Sequence, residues 1–365
     1  MKHALPLLLV PLLGCSTPPP RTLIVRAGRV IDGSGAPAKE RVRILITDGV
    51  IEAIDTDDER PLLADATVID ATGLSVLPGL TSPHARLVPL GAGDSKPAPS
   101  PIQAAHNLHA LLRSGITSVA DFGAPAPLAI ALRQHVGTAR NRGPRVFVAG
   151  PLLTASSIPP IDFLGRAAVA SGMAREVANP EAATLAVREL AVLGVDFVAV
   201  DLEEYRPNGF LSPMLSEEVL CGIVKEARRQ KLRVLAQAST RAAYDEAAAC
   251  GVDALTHDSL DPIGHTPPLE ELKRLHETGL TPLEALTLAT QENARILSLQ
   301  DAVGQVRTGY RADIVGVFGR PDADLDNLTQ VELVIVDGVV QRLDAPSLGE
   351  ELELLWRLAW AWILS

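Results

Sequence analysis

The pattern of apolar and polar positions changes twice along the chain. From residue 22 to about 76, short alternating runs such as "TLIVRAGRV" and "RVRILITDGVIEAID" are separated by Gly and Asp, which is typical of short β-strands. From residue 77 to 302, apolar strand-like runs alternate with helical stretches, and over 303–342 the short-strand pattern returns. We therefore expect a small β-sandwich module formed by both ends of the chain, with a separate α/β unit between them.

Six apolar runs in the middle region predict strands. They begin near Leu77, Ile116, Pro144, Val195, Arg233 and Val252. Strand and helix in regular alternation favour a parallel sheet, most simply a TIM-like (β/α) barrel. The fold class predicted is therefore α/β, with a barrel of about six strands.

The first 14 residues predict a targeting segment, because Lys2 and His3 precede a short apolar stretch of roughly signal-peptide length. It ends in Leu-Leu-Gly-Cys, which resembles the lipobox of bacterial lipoproteins, with Cys15 as the lipidated residue. An ordinary secretory signal is the alternative. Residues 15–21, rich in Pro, would form a stiff tether. We expect an exported protein, lipid-anchored on the periplasmic side of a bacterial membrane.

The last segment, residues 347–365, has apolar residues at helical spacing and contains all three tryptophans. Two interpretations stay open. The helix could cover the protein's own open barrel edge, or it could lie at a membrane interface, where Trp is favoured.

The net charge and the cysteine content restrict the range of functions that the sequence allows. A formal net charge of -11 argues against a nucleic-acid partner. Cys221 and Cys250 lie in helix-like stretches, and we expect them to be unpaired, buried small side chains.

One strand-like run, "LPGLTSPHARL" from Leu77 to Leu87, carries candidate chemistry. His84 and Arg86 are two residues apart, so on a strand they share a face. Two histidines at this spacing would form a metal clamp, but the second position holds a cation.

Several short sequence motifs, taken in their order along the chain, resemble those of a known protein family. The segments "RVIDGSG", "LPGL" before a histidine, "GITSVADFG", "GPRVFVAG", "LGVDFVAV", "GVDALTH", "GLTPLEALTLATQENARILSL" and "GYRADIVGV" resemble the amidohydrolase superfamily, in its imidazolonepropionase-like and prolidase-like branch. The resemblance implies a TIM barrel with one or two divalent metals, such as zinc, at the strand ends. Such metals activate water to hydrolyse amide, cyclic-amide or peptide-like C–N bonds.

Several positions depart from the ligand set that the resemblance implies. His84 and His257 match histidines of the first and sixth strands, whereas Arg86 replaces the second histidine of the first strand. Ala199 stands where a bridging lysine is expected, and the fifth-strand histidine positions hold two neutral residues, Gln237 and Ser239. Asp261 is the candidate for the last-strand aspartate, as a metal ligand and catalytic residue. Asp121 is a further acid at a strand end of the expected pocket.

The charge at position 86 opposes metal binding. A fixed positive charge ~4 Å from a dication, at an effective dielectric near 20, is repelled by roughly 8 kcal/mol. We therefore predict that the binuclear site is lost, and that any metal is absent or weakly held. A single-metal site on His84, His257 and Asp261 remains an alternative.

The chain is also shorter than the resemblance implies, because room for two strand–helix units is missing after His257. The open edge would be covered by the terminal helix or by another chain in an oligomer.

Three functions remain: a weak or inactive hydrolase, a non-catalytic lipoprotein binding a small anionic ligand or partner through Arg86, and a decaying copy without function.

Overall fold

The computed structural model describes residues 22–57, 65–88, 100–136, 143–155, 168–203, 213–256, 268–344 and 356. Their strands form three sheets: a seven-stranded mixed sheet and two parallel sheets of five and three strands. Cys15, His257, Asp261 and the predicted terminal helix lie outside these residues, apart from Trp356.

The composite β module predicted from both ends of the chain is confirmed as the seven-stranded sheet. Its order is β15-β14-β13-β4-β1-β2-β3, and only the β1–β4 pair is parallel. The strands are β1 (Thr22–Val30), β2 (Lys39–Thr47), β3 (Val50–Thr56), β4 (Thr67–Pro78), β13 (Ile314–Phe318), β14 (Val331–Val336) and β15 (Val339–Val340).

The barrel region contains eight parallel strands in the orders β5-β6-β7 and β12-β11-β10-β8-β9. They are β5 (Leu80–Ala85), β6 (Ile116–Asp121), β7 (Arg145–Val148), β8 (Leu152–Ala155), β9 (Ala174–Val177), β10 (Phe197–Asp201), β11 (Arg233–Gln237) and β12 (Ala254–Thr256). All six predicted strands are present. The sequence pattern did not reveal β8 and β9, because each is four residues long and β9 reads "AREV" without clear alternation.

β7 and β8 are two halves of one strand position beside β10. The Asp196 N–H donates to Val148 O at the end of β7 (2.8 Å), and Leu153 of β8 pairs with Val200. The interruption lies at Gly150, where φ is +74° and a Cβ would approach Leu190 and Ala126 at 3.0 and 3.1 Å. The strands β5, β6, β7/β8, β10, β11 and β12 occupy the six positions that the sequence predicts, and β9 adds a further strand beside β8.

Helices between the strands begin at residues that cap them. The Asn179 side chain accepts the Ala182 N–H, and Ser216 and Thr240 cap later helices in the same way, which satisfies otherwise unpaired N–H groups. The helices are α1 (Pro101–Arg113), α2 (Ala126–Val136), α3 (Pro180–Leu193), α4 (Glu217–Arg229), α5 (Arg241–Cys250), α6 (Pro268–Glu277), α7 (Pro282–Thr287) and α8 (Asn293–Ile296).

The expectation that Cys221 and Cys250 are unpaired is wrong, because they form a disulfide. The bond joins α4 to the end of α5, and the two Cα atoms lie 4.7 Å apart, within the range that a disulfide spans. Sequence spacing could not show this, because the approach depends on how the two helices pack.

The barrel and the β module are joined by tight contacts at "LPGL". A Cβ on Gly79 would lie 2.0 Å from Thr117 Oγ1, so only glycine permits this approach. The Arg145 guanidinium at the start of β7 donates to the buried Asp313 carboxylate (2.7 Å) and to Asp337 (2.6 Å). These bonds fix the barrel floor to the C-terminal half of the module.

β5 and β12 are each an edge strand of their sheet, and they do not pair with each other among the described residues. A π-helical turn over Leu288–Glu292 and the helix α8 pack against β5 instead, and Asn293 Nδ2 donates to Thr81 O (2.8 Å). Helices therefore cover the backbone edge of the first strand. No described helix combines the length and apolar character needed to cross a membrane.

Candidate functional site at the barrel mouth

Polar side chains gather at the carboxyl ends of the barrel strands. Arg86 directly follows β5, Asp121 ends β6, Asp201 ends β10 and Gln237 ends β11. Parallel strands present these ends at one edge, the edge where TIM barrels carry their chemistry. The structure thus brings together three residues that the sequence singles out and adds Asp201, which it did not.

Arg86 reaches across the mouth. Its Nη2 donates to Gln237 Oε1 at 3.2 Å, while Gln237 is 2% exposed and the arginine is half-buried. The contact joins the first and fifth barrel strands. The acceptor is the Gln237 amide oxygen, at one of the positions where the resemblance expects a histidine.

Asp121 is fully buried and interacts electrostatically with Arg86. One carboxylate oxygen accepts the Leu87 N–H (3.0 Å), and the other has no hydrogen-bond partner within the described residues. Burial raises the pKa of Asp121 to about 7, although the Leu87 N–H and the Arg86 charge act in the opposite direction. Asp121 therefore holds the chain after β5 in place and carries a proton at mildly acidic pH.

Two acids of the mouth were missed by sequence reasoning. Asp201 accepts the Glu203 N–H (3.1 Å), and the Glu203 carboxylate accepts a short hydrogen bond from Ser239 Oγ. Both acids are at least nine-tenths buried, whereas Ser239 is exposed. The signal was the run "VDLEE" after the buried strand β10, since polar residues at such a position face the mouth.

His84 lies inside the barrel but turns its ring to aromatic neighbours. It stacks at a tilt on Phe122, with ring centroids 4.6 Å apart, and Phe122 in turn contacts Phe197. Ala199, where the resemblance expects a metal-bridging lysine, is fully buried in β10 and offers only a methyl group.

The donor set in the described part of the mouth does not fit a binuclear metal site. Arg86 brings a cation, the Gln237 amide oxygen already accepts from it, and the Ser239 hydroxyl donates to Glu203. Divalent metals in this chemistry require imidazole, thiolate or carboxylate donors. In the described ranges, no group of three His, Cys, Asp or Glu side chains could hold a metal ion. The one-metal set of His84, His257 and Asp261 stays a prediction, because two of its members lie outside those ranges.

Parallel strands around a polar mouth, attached to a β module made from both chain ends, form a TIM-like (β/α) architecture. The model of the amidohydrolase family matches residues 251–340. Over these residues, about a quarter of its length, the chain is similar to the amidohydrolase family.

One curated relative is similar over part of the chain, and solved structures support the fold. Enamidase from Eubacterium barkeri is 27% identical over 157 residues, which are 40% of this chain and 39% of the enamidase. The match therefore spans well under half of that curated relative. The structure of a Xaa-Pro dipeptidase with bound methionine in its active site has a TM-score of 0.73 at 20% identity, covering 88% of this chain and 100% of the dipeptidase. Ochratoxinase from A. niger has a TM-score of 0.71 at 18% identity, covering 91% and 98%.

Proposed function

We propose that this chain is a degenerate amidohydrolase. It has the fold of proteins that hydrolyse amide and peptide-like C–N bonds, but metal-dependent hydrolysis is weak or lost. One observation carries the proposal: the hydrogen bond from Arg86 to Gln237 across the barrel mouth. A guanidinium cannot be deprotonated in a protein, so this bond places a permanent cation where ligands to a dication are expected.

Two other residues of the barrel also favour weak or lost metal-dependent hydrolysis. Ala199 has no donor atom, and Ser239 is committed to the Glu203 carboxylate. A serine acts as a nucleophile when an imidazole or amine takes its proton, whereas this serine contacts a carboxylate. The described side chains therefore supply hydrogen bonds and charge, and they do not assemble a familiar hydrolytic centre.

Restoring the expected donors tests the proposal. The parent chain and a variant with Arg86→His, Ala199→Lys, Gln237→His and Ser239→His are purified without the signal segment and incubated with zinc. We expect the parent to hydrolyse Xaa-Pro dipeptides no faster than buffer, and the variant to retain more zinc after dialysis. Zinc-dependent hydrolysis by the parent, abolished in His84→Ala, would contradict the proposal.

A second candidate function is the binding of a small anionic ligand, such as a carboxylate or phosphate compound, at the mouth. It is favoured by the half-buried Arg86, which Gln237 orients; a guanidinium matches carboxylate and phosphate in geometry. The probes are succinate and inorganic phosphate, measured by calorimetry. Arg86→Gln should abolish binding, while Arg241→Gln, which removes an exposed charge on α5, should leave it unchanged. Equal binding by both variants would exclude this function.

We also propose that the chain is exported and anchored by lipid at Cys15. The disulfide between Cys221 and Cys250 supports this location, because disulfides persist mainly in oxidising compartments such as the periplasm. The disulfide does not bear on the lipid itself, which the Cys15→Ala experiment in the Discussion addresses.

A further inference from the structure

A second cavity lies beside the barrel mouth, between the two edge strands. It has a volume of about 260 Å³, and its walls come from β5, β6, β12, α1, α6, the π-helical turn and α8. The edge strands β5 and β12 do not pair with each other in the described residues. The cavity therefore occupies the gap that further strands would fill in a closed eight-stranded barrel.

Slightly more than half of the wall is apolar. Leu80, Ile116 and Leu272 line it and are each 2% exposed, and Leu111 and Ala289 contribute further buried surface. An apolar cavity of roughly 150 Å³ takes up benzene. The larger volume here suits a single ring, or a short branched chain, with one small substituent.

One polar atom in this wall points to a ligand. Thr81 lines the cavity and is 3% exposed, and its Oγ1 has no hydrogen-bond partner within the described residues. Buried hydroxyls are almost always hydrogen-bonded. The strand position is fixed, since Asn293 Nδ2 donates to Thr81 O, so the hydroxyl stays in the wall.

Charges around the cavity restrict the ligand further. Glu271 and Glu292 both line it, and Glu292 forms an ion pair with Arg295 (2.8 Å). Carboxylates in the wall repel an anion, so the ligand differs in charge from one that Arg86 would bind at the mouth.

We propose that this lateral cavity binds a small uncharged molecule with a single-ring or short branched apolar body and one hydroxyl or amide group. The polar group hydrogen-bonds to Thr81 Oγ1, and the apolar body packs against Leu80, Leu111 and Leu272. The cavity lies beside the barrel mouth, and His84 forms part of its wall. Its test involves neither metal nor hydrolysis, so it stands or fails independently of the proposed function.

The test compares benzyl alcohol with toluene, which has the ring but no hydroxyl, by calorimetry on the mature full-length chain. We expect the parent to bind both probes. Thr81→Val, which keeps the side-chain shape, should weaken benzyl alcohol binding by about fivefold and leave toluene binding unchanged. Ala289→Leu, which fills the cavity, should remove binding of both.

A matched control is Thr154→Val, because Thr154 is equally buried on β8 but does not line the cavity. It should leave both affinities unchanged. The proposal is overturned if the parent binds neither probe, if Thr81→Val weakens both probes equally, or if Ala289→Leu still binds them. Binding that requires removal of residues 347–365 would show that the chain's own tail fills the cavity, and would also overturn it.

Discussion

Replacing Asp121 by Asn should change how stability depends on pH. Asp121 is 1% exposed, and burial raises its pKa from the ordinary value of 3.8 to about 7 in the folded chain. The unfolded chain therefore releases this proton near pH 4 and the folded chain near pH 7. Over that interval the unfolded state binds fewer protons, so stability falls as pH rises.

The size of this change in unfolding free energy follows from the shift in the pKa of Asp121. A difference of about three pKa units corresponds to about 4 kcal/mol, at about 1.4 kcal/mol for each unit. The amide introduced by Asp121→Asn would keep an oxygen for the Leu87 N–H and would not ionise. The free energy of unfolding of Asp121→Asn, relative to the parent, should therefore rise by about 4 kcal/mol between about pH 4 and pH 7.

Urea unfolding followed by circular dichroism, at several pH values and with the disulfide intact, measures this difference. Asp70→Asn is the control, because hydrogen bonds from Thr72 lower the pKa of this exposed carboxyl. Its pH-dependent effect on stability has the opposite sign and lies below about pH 4, so its difference from the parent should stay nearly constant between about pH 4 and pH 7. A pH-independent difference between Asp121→Asn and the parent would refute the reasoning that Asp121 is buried as an acid.

Three further predictions concern the disulfide and the chain ends. Because the disulfide closes a loop of 29 residues, replacing Cys221 and Cys250 by Ser should cost about 3.5 kcal/mol of unfolding free energy; unfolding curves that coincide with the parent would contradict this. Cys15→Ala should move the protein from the membrane to the soluble fraction, and undiminished recovery in the membrane pellet would show that lipid at Cys15 does not hold it. Deleting residues from Leu348 onward should lower the thermal midpoint and promote aggregation if the tail covers the protein's own core; unchanged behaviour would favour a membrane or partner contact.

Much of the fold could be predicted because its signals are local. The alternation in "TLIVRAGRV" and the buried run "DFVAV" predict strands β1 and β10 directly from side-chain period, and both are present. The short strand β9 escaped prediction, since four residues without alternation carry no period. The pairing of Cys221 with Cys250 also escaped, because it depends on packing between two helices.

The site was predictable only in part, for a similar reason. Arg86, Asp121 and Gln237 lie at strand ends, where the motifs indicated them, and their roles stay a prediction. The acids Asp201 and Glu203 were missed, because their importance appears only when Ser239 and the end of β10 lie side by side. The lateral cavity was equally hidden, since it depends on the separation of β5 from β12.

Elemental analysis of the purified mature chain tests the central claim most directly. Arg86 in contact with Gln237, together with Ala199, removes donors that a dication needs, so we predict far less than one equivalent of zinc, manganese or iron per chain. One or more equivalents of metal, lost in His84→Ala, would contradict the account and would show that the barrel mouth still holds a metal centre.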